Sequence, residues 1–213
     1  NREEFLTRLE VVKKSHTFLE AKGVPNAKCD SEWIISSSLG VKRMELYLLP
    51  NEIVEEGKVA EIRNMIVKRG KREPLQHIFG NVQFAGISLK CDNRALIPRP
   101  ETEFLVEHIL RRVAPSLNGK ILDLGTGSGA ILLALCSALP EALGVGLDNC
   151  PKALSLARDN TETLELESRV RLQQWDWRLD TIKDKEFNLV VSNPPYLKQE
   201  EWESAEPEDR EYD

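Results

Sequence analysis

The chain has no apolar run near the ~20 residues that a membrane-spanning helix requires, so no bilayer span is expected. Its four cysteines, Cys29, Cys91, Cys136 and Cys150, are scattered and form no C-x-x-C pair. That spacing speaks against a metal ribbon and a disulfide scaffold and agrees with a reducing compartment. The three histidines, His16, His77 and His108, stand apart from one another; each reads as a helix or hairpin residue, not as a ligand or catalytic base. No secretory signal pattern is visible, and a cytoplasmic location is the expectation. The chain also lacks a strongly basic domain. The net charge is −6, and eight of its acidic residues fall between Gln199 and Asp213. The rest is close to neutral, whereas duplex DNA binding calls for a basic footprint. The one local cluster of cations, Lys68, Arg69, Lys71 and Arg72, reads as a solvated helix end favoured by the helix dipole. No internal repeat is visible.

What is present is an ordinary globular composition, with 41% apolar and 30% charged residues. At 213 residues there is room for one good domain and a smaller one. The first part reads as helices. Phe5, Leu9, Val12, His16 and Leu19 recur at helical spacing until Gly23 and Pro25. Asp30–Leu39 predicts a second helix stopped by Gly40. Met44–Leu49 predicts a short third, stopped by Pro50. Glu55–Lys68 predicts a fourth, with Val59, Ile62, Met65 and Ile66 on one face. Between Gln76 and Ile97, aromatic and β-branched residues alternate with glycines, the pattern of a hairpin. Pro100 then suits the first position of a helix running to about Val113, with Glu101 and Glu103 in its first turn.

From Lys120 the chain alternates strand and helix. Strands are expected at Lys120–Leu124, Leu143–Leu147, Val170–Gln173 and Phe187–Val191, and helices at Gly129–Leu139 and Pro151–Thr163. This order implies a parallel α/β sheet. The expected division is residues 1–74 as a helical recognition domain, 75–97 as a linking hairpin, and 98–213 as the catalytic domain.

Two loops carry chemistry. Asp123-Leu124-Gly125-Thr126-Gly127-Ser128-Gly129 follows the first sheet strand and opens a helix. Glycines let the backbone approach a ligand closely. A pyrophosphate would seek the helix N-terminus, but an acidic strand end points to a cationic group instead. S-adenosylmethionine carries a sulfonium and an ammonium and no phosphate. Asp148, at the end of the second strand, sits where a carboxylate accepts ribose hydroxyls. Trp175-Asp176-Trp177, after the third strand, offers an acceptor for an adenine amino group and an indole to stack on it. These readings compete with a structural glycine turn, a helix N-cap at Asp148 and partial core burial of the two tryptophans.

The second loop is Asn193-Pro194-Pro195-Tyr196, after an apolar run. The prolines fix their own φ angles, and Pro194 pushes Asn193 towards an extended conformation. The Asn193 side chain and the Pro194 carbonyl together offer two acceptors for the two N–H groups of a planar NH₂. Tyr196 adds an aromatic face. Such a loop suits methylation of a planar nitrogen; a proline-rich turn after a buried strand is the plainer alternative.

Together these residues resemble the HemK/PrmC family of methyltransferases, which modify a glutamine in peptide-chain release factors. The likeness extends to Leu96-Ile97-Pro98-Arg99-Pro100-Glu101-Thr102-Glu103, similar to that family's signature segment between its two domains. It also extends to Glu73-Pro74-Leu75-Gln76-His77-Ile78-Phe79-Gly80, where His77 replaces the usual tyrosine. The resemblance implies a Rossmann-like class I S-adenosylmethionine-dependent methyltransferase sheet, an N-terminal helical bundle and a linking β-hairpin. It implies N5-methylation of the glutamine in a Gly-Gly-Gln loop, with release factors as partners, no metal, no membrane, no sequence-specific nucleic acid, and a monomer.

By that likeness Asp123, Gly125, Thr126, Gly127, Gly129, Asp148, Asp176, Trp177 and Asn193 hold the cofactor. Asn193, Pro194, Pro195 and Tyr196 hold the glutamine, and Asn193, Pro194 and Tyr196 act in catalysis. The family's sheet has seven strands and only four are found here, so the catalytic domain is expected to be incomplete at its C-terminal side. Adenine-N6 or cytosine-N4 DNA methyltransferases share the second loop, because adenine also presents a planar NH₂; they must flip a base and grip phosphates. A non-catalytic protein-binding module with a relic cofactor site is a third reading, against which the intact loop residues speak.

Overall fold

The computed structural model describes residues 5–112, 119–176, 178–182 and 186–194. They divide into two compact units that meet in sequence at Ile78 and Phe79.

In the first unit, helices α1 (Arg8–Ala21), α2 (Ala27–Leu39) and α3 (Glu56–Gly70) pack on one another, with a 3₁₀ turn at Arg43–Tyr47 closing the group. Helix α1 begins at a capping box. The Thr7 N–H donates to Glu10 Oε2 at 2.8 Å, and the Glu10 N–H donates back to Thr7 Oγ1 at 3.4 Å. This cap sets the start of the helix after Phe5. Phe5 therefore lies outside the apolar stripe in which its spacing had placed it, and is exposed. The buried face is instead Arg8, Val11, Val12, Ser15 and Leu19. Gly40 ends α2 at φ 67°, the left-handed cap that glycine adopts without strain. The expected third helix is the shorter 3₁₀ turn, whose Leu46 is fully buried.

One member of the cation cluster departs from the reading as a solvated helix end, while Lys68 and Lys71 are exposed. Arg69 lies at the buried face of α3, and its Nε donates to Asp30 Oδ2 on α2 at 2.7 Å. Arg69 Nη1 also donates to the Glu73 carbonyl at 3.1 Å. The long side chain reaches inward because α2 supplies a carboxylate there.

A short helix, α4 (Leu75–Phe79), leads to the second unit; the hairpin pattern gave no sign of it. Strands β1 (Asn81–Phe84) and β2 (Ile87–Lys90) form the expected antiparallel hairpin. Its two-residue turn has Ala85 at φ 45° and Gly86 at φ 84°, the paired positive values of a tight hairpin turn. Helix α5 (Pro100–Arg112) follows.

Then come β3 (Lys120–Leu124), α6 (Ala130–Ala138), β4 (Leu143–Asp148), α7 (Pro151–Thr163), β5 (Val170–Gln174) and β6 (Leu189–Ser192). The four strands form one parallel sheet in the order β5-β4-β3-β6. Helix α6 is apolar nearly all round, as a helix enclosed on every side must be. Its Leu132, Leu133, Leu135 and Cys136 are fully buried against β3, β4 and neighbouring helices. The chain winds from β3 outward through β4 to β5, then returns to the other side of β3. The switch point of the sheet is thus the crevice between β3 and β6, where open α/β sheets bind their ligands.

Arg69→Met should lower the unfolding free energy by about 3–5 kcal/mol, because Asp30 would remain buried without its cation. Asp30→Leu with Arg69→Met should recover most of that loss. Urea unfolding of single and double variants checks both; equal losses would remove the pair from the account of this unit.

Candidate active site

The site is built where three strands end level. Leu124 of β3 pairs with Leu147 of β4 on one side and with Ser192 of β6 on the other. The residues that follow, Gly125, Asp148 and Asn193, therefore emerge along one edge of the sheet. Ser192 Oγ donates to the Leu124 carbonyl at 2.9 Å, which ties the end of β6 to the end of β3.

The glycine loop is pinned from beneath. The Gly125 and Thr126 N–H groups both donate to the Leu147 carbonyl, at 2.8 and 3.0 Å. The Gly127 N–H donates to Asp148 Oδ2 at 2.8 Å. Asp148 Oδ1 accepts from the Cys150 N–H at 2.9 Å, so this carboxylate shapes both the loop and the start of α7. Gly125 and Gly127 have φ of 73° and 57°, and a Cβ built on either meets nothing within 4 Å. Their outer face is open to a ligand. Gly129 has the same sign of φ, yet a Cβ there would press on Leu133 Cδ1 at 2.9 Å, so this glycine serves the packing of α6.

Asp123 lies behind the loop and is 1% exposed. Its Oδ2 accepts from Thr126 Oγ1 at 2.8 Å, while Oδ1 is buried without a hydrogen-bond partner. Burial pushes this carboxyl up to about 6, the Thr126 hydrogen bond and the nearby Leu132 backbone N–H oppose the rise, and the neighbouring charge of Asp148 adds to it. Such a carboxylate favours a cation in the loop, and with Asp148 beside it repels a phosphate. An open glycine cradle, an orphaned buried carboxylate oxygen and a half-buried strand-end carboxylate fit S-adenosylmethionine.

Asp176 is engaged differently from its expected role as an acceptor for adenine. Its carboxylate takes the Arg178 backbone N–H at 2.9 Å and the Arg178 guanidinium at 2.9 and 3.1 Å, which hold it below the usual carboxylate range. Trp175 is half-buried with its indole nitrogen unpartnered. Asn193 and Pro194 are exposed at the sheet edge, and Asn193 Nδ2 donates to Thr102 Oγ1 at 3.2 Å. Trp177, Pro195 and Tyr196 lie outside the described residues.

Two residues of the site were not singled out by the sequence reading. Asn160 on α7 is 1% exposed; it donates to the Ser128 carbonyl at 3.0 Å and to the Lys90 carbonyl at 3.3 Å, and accepts from the Lys90 N–H at 2.6 Å. Its only mark in the sequence is a polar residue on the apolar stripe of a helix. Thr102 lies within the signature segment, but nothing local to that segment points to Asn193, 91 positions away.

The Asp123 carboxyl predicts a pH dependence with a definite sign. The native carboxyl keeps its proton to about pH 6 and the unfolded one loses it near 3.8. Between those values the native state binds more protons, so stability falls as pH rises, by about 3 kcal/mol in all. Asp123→Asn should flatten the unfolding free energy between pH 4 and 6. Superposable profiles for the two proteins would mean that the carboxyl is not strained by burial.

Comparison with known proteins finds likeness along both units. A family model of the PrmC N-terminal domain matches residues 10–80, and one of the methyltransferase small domain matches residues 100–206. A release factor glutamine methyltransferase from Geobacter sulfurreducens is 39% identical over 99% of this chain and 72% of its own length. The human MTRF1L release factor glutamine methyltransferase is 33% identical over 96% of this chain and 64% of its own. This chain thus spans roughly two thirds of the length of these relatives. Among solved structures, the M. jannaschii tRNA m1G37 methyltransferase aligns with 55% of this chain and 35% of its own at 25% identity, with a TM-score of 0.45. The family models and the curated relatives, which match along both units, show that the chain belongs to the release factor glutamine methyltransferase family.

Proposed function

We propose that this chain transfers a methyl group from S-adenosylmethionine to the side-chain nitrogen of the glutamine in a release factor's Gly-Gly-Gln loop. The observation that carries the reading is the register of β3 and β6. It brings Asn193 and Pro194 level with the open glycine loop across the switch point of the sheet.

When bound, S-adenosylmethionine supplies an electrophilic methyl group on a sulfonium. The residues of this chain do the rest. Gly125 and Gly127 leave room for it, Asp148 receives its ribose hydroxyls, and Asp123 provides the negative potential that a cation needs. Asn193 Oδ1 and the Pro194 carbonyl accept the two N–H groups of the glutamine carboxamide. A carboxamide nitrogen is a poor nucleophile because its lone pair is shared with the carbonyl. Holding both N–H groups orients the nitrogen and stabilises the positive charge that grows there. Fixed placement removes several kcal/mol of the barrier, and preorganised dipoles remove more. No general base is needed beforehand, because the alkylated nitrogen is acidic and releases its proton to water.

The helical unit is the part we assign to recognition of the release factor. It exposes Met44, Leu48, Leu49 and Ile53 in and around the 3₁₀ turn. The chain acts as a monomer in the cytoplasm on this reading. Among the described residues no helix is long and apolar enough to cross a membrane, and no cluster of side chains is suited to a metal ion.

Incubation of the protein and cofactor with an intact release factor should add one methyl to the glutamine of the Gly-Gly-Gln peptide, as read by mass spectrometry. Asn193→Ala should lower turnover on the order of a hundredfold or more. Calorimetric affinity for the cofactor, which Asn193 touches as one of several residues, should fall far less than turnover. Equal loss of both, or methyl transfer to DNA instead, would overturn the assignment.

A further inference from the structure

We infer that Thr102 is a positioning residue which holds the Asn193 carboxamide in place for the substrate. The inference rests on the amide clamp proposed above. A carboxamide presents an acceptor oxygen on one side and a donor nitrogen on the other, and the two ends are nearly equal in shape. The clamp works in one orientation only. With Oδ1 towards the substrate, Asn193 accepts an N–H; turned over, it offers N–H against N–H.

Asn193 is exposed, and Pro194 after it has no backbone N–H to hold the side chain. The hydrogen bond that holds the side chain is the one from Asn193 Nδ2 to Thr102 Oγ1, 3.2 Å long. It draws the nitrogen towards α5 and leaves Oδ1 for the substrate. Thr102 is a firm point of attachment. It lies in the first turn of α5, where its N–H donates to the Arg99 carbonyl at 3.0 Å. The adjacent Glu103 accepts from the Ala85 N–H in the hairpin turn at 3.1 Å, which anchors the same helical turn from another side. Residues Thr102 and Glu103 of one segment thus face in two directions, one to the clamp and one to the hairpin.

The test compares the full-length protein with its Thr102→Val, Thr102→Ser, Asn193→Ala and Thr102→Val/Asn193→Ala variants, using intact release factor and S-adenosylmethionine. Valine keeps the shape of threonine and removes the hydroxyl. Thr102→Val should lower kcat roughly 3- to 12-fold, the effect of one ordinary hydrogen bond. KM for the release factor and calorimetric affinity for the cofactor should change less than about twofold, since misorientation affects the reacting geometry more than binding. Thr102→Ser, which retains the hydroxyl, should restore kcat. In the Asn193→Ala background Thr102→Val should have no further effect, because the residue acts through Asn193.

If Asn193→Ala cripples turnover while Thr102→Val matches the parent, the inference falls and the clamp stands. A Thr102→Val variant whose main loss is cofactor affinity, or whose effect persists in the Asn193→Ala background, overturns it as well. Normal turnover by Asn193→Ala brings down the clamp itself and this inference with it.

Discussion

The level ending of β3, β4 and β6 is the constraint on which the site depends. In a parallel sheet the side-chain period is two, and a slip of one residue turns every side chain to the other face. With Leu124 opposite both Leu147 and Ser192, the glycine loop, Asp148 and Asn193 begin at the same height. A slipped β6 would carry Asn193 about 3.3 Å along the strand, farther than the tolerance of any hydrogen bond. The register is held by more than the strand ladder. Ser192 Oγ grips the Leu124 carbonyl, and at the opposite end of the strands Asn188 Oδ1 accepts from the Lys120 N–H. Both contacts would fail in any other alignment of the two strands.

The β-hairpin gives this edge a second reference. At the end of β2, Lys90 exchanges hydrogen bonds with Asn160, and Asn160 holds the Ser128 carbonyl at the back of the glycine loop. At its turn, Ala85 donates to Glu103, the neighbour of the residue that meets Asn193. One small element is therefore linked to both loops of the site. Arg94 adds a further brace after β2; its guanidinium bridges Asp92 to Asp159, one position before Asn160 on α7. The carboxylates on either side push that guanidinium's titration above its ordinary range. The hairpin and the signature segment following it thus do structural work for the chemistry at a distance in sequence.

The elements legible in the sequence are those with strong local signals. Pro151 and the apolar spacing behind it placed α7 with both ends correct, and Pro100 placed the start of α5. Each of the four sheet strands fell within two residues of its expected bounds. The failures have physical causes. Thr7 and Glu10 form a cap whose pull on the start of α1 outweighed the periodicity that included Phe5. Arg69 reads as a surface cation until Asp30 is brought beside it by packing. At the site, the places of the glycine loop and Asp148 were readable because they follow from position after a strand. Thr102 and Asn160 were not, because their partners are supplied by tertiary contact. Asp123 was found for its charge, but its burial behind Thr126 depends on how the loop folds over it.

That burial also bears on the sign of charge that suits the loop. A carboxylate removed from water without a partner for one oxygen is costly in its charged form, and the protein relieves the cost by keeping a proton to about pH 6. A cation entering the loop stabilises the charged form and lowers the pKa again. Cation binding and proton release are then linked, and near pH 6 part of the binding free energy is spent on ionising Asp123. A phosphate meets the opposite situation. It would approach two carboxylates, one of them already made reluctant to ionise by burial, and the N–H of Gly127 that would hold it is occupied by Asp148. The glycine pattern that elsewhere cradles pyrophosphate is here flanked by two aspartates, whose charge suits a cation better than an anion.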